Sequence, residues 1–187
     1  WHTIRLRPIP AMSQLFLKTK TVGYYMVQNA NQALYSQLFS NAAWVKTNIT
    51  LTASQTDPTS GTEAFTPTAG AANATMLQSI VLTGTLNRTF SIYLKRKTGT
   101  SNISITVDGS TYVVKTTTGA WARFDTTLTA SGTVTCGIKI ATSGDEVYAA
   151  WAQLEDGAVS TYATNTANRY TVTQITDADY PSNTTRG

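Results

Sequence analysis

The sequence predicts an all-β chain built as an antiparallel sandwich or barrel, on three observations. Threonine is abundant while only 13% of the 187 residues are charged, and a β-branched hydroxyl residue suits a pleated, half-wet surface. Strand-type runs recur at regular spacing: 76–83, 89–95, 102–107, 111–116, 121–129, 133–141 and 146–154. The turn signals Leu86-Asn87, Thr98-Gly99, Asp108-Gly109, Thr118-Gly119, Ser131-Gly132 and Ser143-Gly144 fall at or between these runs, with Asp-Gly the strongest hairpin signal. A helical period is absent throughout.

From the N-terminus, Pro8 and Pro10 impose an extended start. QLFLKTKTVGYYMV (14–27) then alternates in part, and Gly23 interrupts it as at a turn or bulge, which predicts two short strands. QNANQ (28–32) reads as a polar linker, and the Ser/Thr/Gly/Pro/Ala-rich stretch 53–75 as the longest loop. The regular strands follow, and RYTVTQITDADYPSNTTRG (169–187) reads as one more strand and a turn.

Two distant stretches share a pattern. ALYSQLFSNAAWVKTNITLT (33–52) contains Tyr-Ser-x-x-Phe-x-Asn-x-x-Trp, and GDEVYAAWAQLEDGAVSTYATN (144–165) contains Tyr-x-x-Trp-x-Gln-Leu-Glu-x-Gly. With the strands between them they resemble a jelly-roll domain of the carbohydrate-binding-module or concanavalin-like kind that recurs in tailed-bacteriophage virion proteins. The likeness spans roughly 33–165 and implies an antiparallel jelly-roll β-sandwich with short flanking β arms. It also implies that 53–75 leads into the core strand MLQSIVLTG.

The flanks LFLKTKTVGYYMV and TQITDADYPSNTTRG resemble a β-propeller-like blade of short-tailed-phage tail-hub or DNA-stabilisation proteins. The expected organisation is an N-terminal arm over 1–30, a lectin-like jelly roll over 31–166, and a strand and tail over 167–187 that pairs with the N-terminal arm. An insertion at a hairpin tip is well tolerated.

The function implied is that of a virion structural protein, located in the virion as a tail or head–tail component. Its partners would be tail-hub, portal or capsid subunits and further copies of itself in a homo-oligomer, with host surface polysaccharide as an additional candidate. Rival readings are a capsid decoration protein and a carbohydrate-binding module of a secreted polysaccharide-degrading enzyme.

Trp44, Trp121 and Trp151 are the candidates for stacking on sugar rings, and Tyr112, Tyr93 and Tyr35 are candidate groove residues, with Trp44, Trp121 and Tyr112 the glycan-binding set. Core packing is the competing reading for the tryptophans. The alternating run VYAAWAQL places Trp151 in the sandwich core. No cofactor is expected. A structural calcium ion is the one metal considered, with Asp145 and Glu146 or Asp57 and Glu63 as loop ligands, although no D-x-D-x-D-G loop is present.

An enzyme is not expected. A glycosidase needs two carboxylates facing across a bond, whereas most acids here sit at turns, where Asp has a local hydrogen-bonding reason to be. Cys136 has no histidine near it in sequence, since the only one is His2. It also has no cysteine to pair with, and reads as a buried strand thiol.

Net charge is +4 and the pI about 9.2, which bears on association rather than fold. The cations cluster at Arg5, Arg7, Lys18 and Lys20 and in the run Lys95-Arg96-Lys97, without the aromatic interleaving of single-strand binders. No run of about 18 apolar residues occurs, so no membrane helix is expected. The opening WHTIRLRPIPAM lacks a signal-peptide h-region, and Trp at position 1 suggests a processed chain or a piece of a longer one. The Asn-x-Ser/Thr triplets at 48, 73, 87, 102 and 183 are attributed to chance in a Thr-rich chain.

Overall fold

The structure, a computed structural model, describes residues 15–18, 23–28, 30–99, 103–167 and 170–175. All its regular elements are strands, and they fall into two compact units. One unit is a three-stranded antiparallel sheet of β1 (Leu15–Lys18), β2 (Gly23–Gln28) and β13 (Tyr170–Ile175), with β2 in the middle. Gln28 lies opposite Tyr170 and Gly23 opposite Ile175. The TDADYPSNTTRG part of the tail motif lies outside the described residues.

The second unit, from Ala30 to Ala167, is a jelly-roll sandwich of two five-stranded antiparallel sheets. Its strands are β3 (Val45–Thr47), β4 (Ile49–Gln55), β5 (Ala64–Ala69), β6 (Ala74–Val81), β7 (Leu86–Thr98), β8 (Ile103–Thr106), β9 (Val113–Lys115), β10 (Ala122–Ala130), β11 (Thr133–Ile140) and β12 (Glu146–Asp156). One sheet has the order β10-β7-β12-β5-β4, and the other β3-β6-β11-β8-β9.

The inner faces follow from alternation. Phe90, Ile92 and Leu94 on β7 meet Val134, Cys136, Ile138 and Ile140 on β11 and Ile103 and Ile105 on β8 in one core. Each fully buried side chain of this size contributes about 1.5–3 kcal/mol. The intervening residues of β7 (Thr89, Ser91, Tyr93, Lys95 and Lys97) point to the opposite face.

Two expectations are corrected. The 53–75 stretch is not one loop, because β5 runs through it and pairs with β4 from Ile49↔Ala69 to Gln55↔Ala64. Pro67 and the Gly/Ser-rich surroundings hide a strand whose pairing is decided by tertiary contact. Leu86-Asn87 is not a turn but the start of β7, which stays paired with β10 to Leu86↔Ala130. Chain reversal falls earlier, at 82–85, where Gly84 holds a left-handed φ of +72°.

The linker expected at 28–32 is corrected as well: Gln28 ends β2, and the 30–37 segment belongs to the sandwich. Its backbone bonds to β12 beyond the end of the β5 pairing, with Gln32 N–H donating to Leu154 O and Ala152 N–H to Ser36 O. Asn31 clamps it: Oδ1 accepts from Ala33 N–H and Leu154 N–H, and Nδ2 donates to Ala152 O and Ala163 O. A buried amide satisfied on both ends favours one arrangement over others.

Candidate functional site

Strand β12 carries a β-bulge. Ala150 lies opposite Tyr93 on β7, but Gln153, not Ala152, lies opposite Ser91. One extra residue is therefore accommodated, and the inward set changes parity. Val147 and Ala149 are inward before the bulge, and Ala152 and Leu154 after it. Ala150 and Trp151 consequently both face outward. Trp151 holds the left-handed φ of +54°, an arrangement costing of order 1–3 kcal/mol that surrounding structure must support.

This corrects the expected burial of Trp151. The residue is half-buried on the outer face of the β10-β7-β12-β5-β4 sheet. Its ring stacks on Tyr162 (centroids 5.5 Å apart, 14° between planes) and meets Tyr93 edge to face at 5.4 Å. Its Nε1 donates to Glu63 Oε2 at 3.1 Å. Ala64 and Ala150 are fully buried and lie outside the core cluster.

The loop before β5 positions Glu63. Asp57 sits inside it and accepts from Thr59 N–H, Thr59 Oγ1, Gly61 N–H and Glu63 N–H. Burial alone would raise its pKa, but these donors outweigh it and hold the carboxyl below its usual value. Glu63 is further oriented by Gln37 Nε2 at 2.6 Å. Burial is the main cause that raises the Tyr162 phenol, and its hydroxyl meets Ser36 Oγ at 2.9 Å.

Beside this centre, Arg123 of β10 lies 5.8 Å above the Tyr93 ring and donates to Ser91 Oγ and to Ser160 O. Towards the other end of the face, Tyr148 lies opposite Lys95 in register, and the Trp121 ring is 6.2 Å from it at 46°. One sheet face thus holds Tyr93, Trp121, Tyr148, Trp151 and Tyr162, with amide, carboxylate and cationic groups between them. Such half-buried rings can cover the apolar face of a sugar while neighbouring polar groups bond its hydroxyls.

The sequence candidates are dispersed. Trp121 is on this face. Trp44 is wholly buried, packed edge-on against Phe39 at 5.1 Å with Nε1 donating to Tyr35 O, so it has no ring face to offer a sugar. Tyr112 is on the other side of the sandwich, with Lys139 Nζ 4.0 Å above its ring. Tyr35 packs against the core at the 30–37 segment.

Asp145 is buried against Gly99, where an added Cβ would come within 2.1 Å of its carboxylate. Glu146 accepts from Thr68 and Thr98 and pairs with Lys97 at 3.2 Å. Its Thr68 bond is the first cause that holds its pKa below the usual value. Among the described residues no group of three or more His, Cys, Asp or Glu side chains is placed to hold a metal ion.

Sequence reading named Trp151 as a stacking candidate but assigned it to the core, and did not single out Glu63, Tyr148 or Tyr162 as members of this face. No local signal marks them, because the Ala-Ala-Trp-Ala run alternates as a regular strand does.

Neither a known protein family nor a curated protein sequence matches the chain. Solved structures do. The CBM22-1-GH10 modules of Clostridium thermocellum xylanase 10B, complexed with xylohexaose, are 18% identical with a TM-score of 0.50, covering 75% of this chain and 30% of that one. The enzymatically active domain of bacteriophage CBA120 tailspike protein 4 is 12% identical at a TM-score of 0.51, covering 68% and 21%. The CBM22-1-CBM22-2 tandem of Paenibacillus barcinonensis Xyn10C is 13% identical at 0.50, covering 69% and 46%. The chain thus spans less than half the length of each of these three. The likeness is one of fold.

Proposed function

We propose that the jelly roll is a glycan-binding module that retains a polysaccharide on the outer face of the β10-β7-β12-β5-β4 sheet without turning it over. The observation that carries this reading is the bulge at Ala150-Trp151. It sets a strained tryptophan outward among Tyr93, Tyr162 and Glu63. Polar groups on the face already have structural partners: Glu155 accepts from Gln153 and Ser160, and Glu146 is engaged as above. That pattern suits fixed recognition better than a pair of carboxylates poised for hydrolysis.

Affinity electrophoresis of the full chain through gels containing soluble polysaccharides tests it. Retardation by at least one polysaccharide, abolished by Trp151→Ala and accompanied by no release of reducing sugar, is expected. Retardation that Trp151→Ala leaves untouched, or turnover lost on replacing Asp125 or Glu155, overturns it.

A second reading concerns what carries the module. Strands β2 and β13 pair antiparallel although the whole jelly roll lies between them in sequence, so the module reads as an insertion into another β unit. That suits a module carried by a larger protein; the structural likenesses favour a carbohydrate-binding module, and an attachment part in the tail or head–tail region of a virion is the second proposal, resting on the sequence resemblance. Fractionation of virions and their detached tails, probed for this chain, separates the two.

A further inference from the structure

The run Lys95-Arg96-Lys97 is unused by the reading above. Lys95 and Lys97 alternate with the core residue Leu94 and so lie on the same outer face as Tyr148. Their Nζ atoms sit 5.5 and 5.6 Å from the Tyr148 ring centroid, within cation–π range. Arg96 turns away, donating to Thr117 O.

The charges at this end do not cancel. Lys97 pairs with Glu146, whereas Lys95 has no carboxylate within ion-pair distance among the described residues. Asp145, the other acid near, is buried against Gly99. Arg123, towards the other end, already serves Ser91, Ser160 and Glu155. An unmatched ammonium therefore stands beside a half-exposed aromatic pair, Tyr148 and Trp121.

We infer that this end of the face binds an acidic sugar, and that the module's target is an acidic rather than a neutral polysaccharide. This rests on the glycan-binding reading. The sugar ring would lie against Tyr148 and Trp121, with its carboxylate or sulfate on Lys95 and Lys97. A neutral glycan would leave the cation without a partner while gaining only the stacking.

The test compares the full chain with the Lys95→Gln/Lys97→Gln double variant and with Trp151→Ala. The probes are polygalacturonate, chondroitin sulfate, neutral xylan, neutral β-glucan and single-stranded poly(dT), at two salt concentrations. Wild type should bind one of the acidic glycans at least about tenfold more tightly than either neutral one, a difference of about 1.4 kcal/mol. The double variant should lose that preference and its salt dependence, keeping its melting temperature. Carboxylate and sulfate are distinguished by which acidic probe is preferred. Equal binding of neutral and acidic glycans, unchanged in the double variant, overturns this inference and leaves the glycan reading standing. Retention of poly(dT) as strong as that of the acidic glycans overturns it as non-selective attraction of polyanions. Absence of binding to every glycan overturns both.

Discussion

The indole N–H of Trp151 and the carboxylate of Glu63 meet at 3.1 Å, tying strand β12 to the start of β5 across 88 residues. Three features converge on that contact. The bulge turns the indole outward, the Asp57-centred loop delivers the carboxylate, and Gln37 from the 30–37 segment donates to the same oxygen. The contact thus joins the regions where this jelly roll departs from regular pairing, which is where a site can be shaped without disturbing the core.

The two tryptophans should separate stability from binding. Trp44→Ala removes a wholly buried aromatic, which typically costs about 3–5 kcal/mol. Trp151→Ala relieves a left-handed backbone constraint only in part and exposes little core, so a cost of about 1–2 kcal/mol is expected, well under that of core truncation. Chemical denaturation of both variants, alongside glycan retention, checks this. Trp44→Phe should bind as wild type does, whereas Trp151→Ala should not bind.

Asp57 should contribute to acid sensitivity. Its folded pKa is lowered by four donors that outweigh burial. Its stabilisation is therefore complete above the unfolded carboxylate pKa of about 4 and is lost as pH falls through the lower folded value. Asp57→Asn should melt below wild type at pH 7, with the gap closing towards pH 3. A gap that stays constant over that range would contradict the linkage.

Gly137 in β11 has a φ of +152°, and a Cβ there would lie 2.1 Å from the backbone oxygen of Met76 on the paired strand β6. Neither backbone can move without breaking the ladder. Gly137→Ala should destabilise by more than the roughly 1–3 kcal/mol of backbone strain alone, or yield insoluble protein. Gly119→Ala, where nothing lies within 4 Å, is the control and should melt as wild type does.

Cys136 is fully buried in the core, and burial pushes its thiol pKa up to about 12. The thiolate is the reactive form. Native protein at pH 8 should resist a thiol-reactive chromogenic reagent and release one equivalent of chromophore only on unfolding. Rapid labelling in the native state would show that β11 opens locally.

Alternation of polar and apolar residues, together with turn dipeptides, was enough to place the chain among antiparallel sandwiches, because period 2 decides which side of a strand meets the core. Most strands after residue 75 and the burial of Cys136 were legible for that reason. The β4–β5 pair was not, since a strand containing Pro67 in a Gly- and Ser-rich stretch is identified only by the partner it finds. The candidate site failed on the same rule that succeeded elsewhere. VYAAWAQL alternates as though Trp151 were inward, and a single extra residue in the ladder turned it out. A bulge leaves almost no local mark, because it arises where β12 exchanges β5 for the 30–37 segment as its neighbour. That exchange depends on residues more than a hundred positions away. Composition and periodicity therefore determined the sandwich, and long-range pairing alone decided which aromatics lie on its surface.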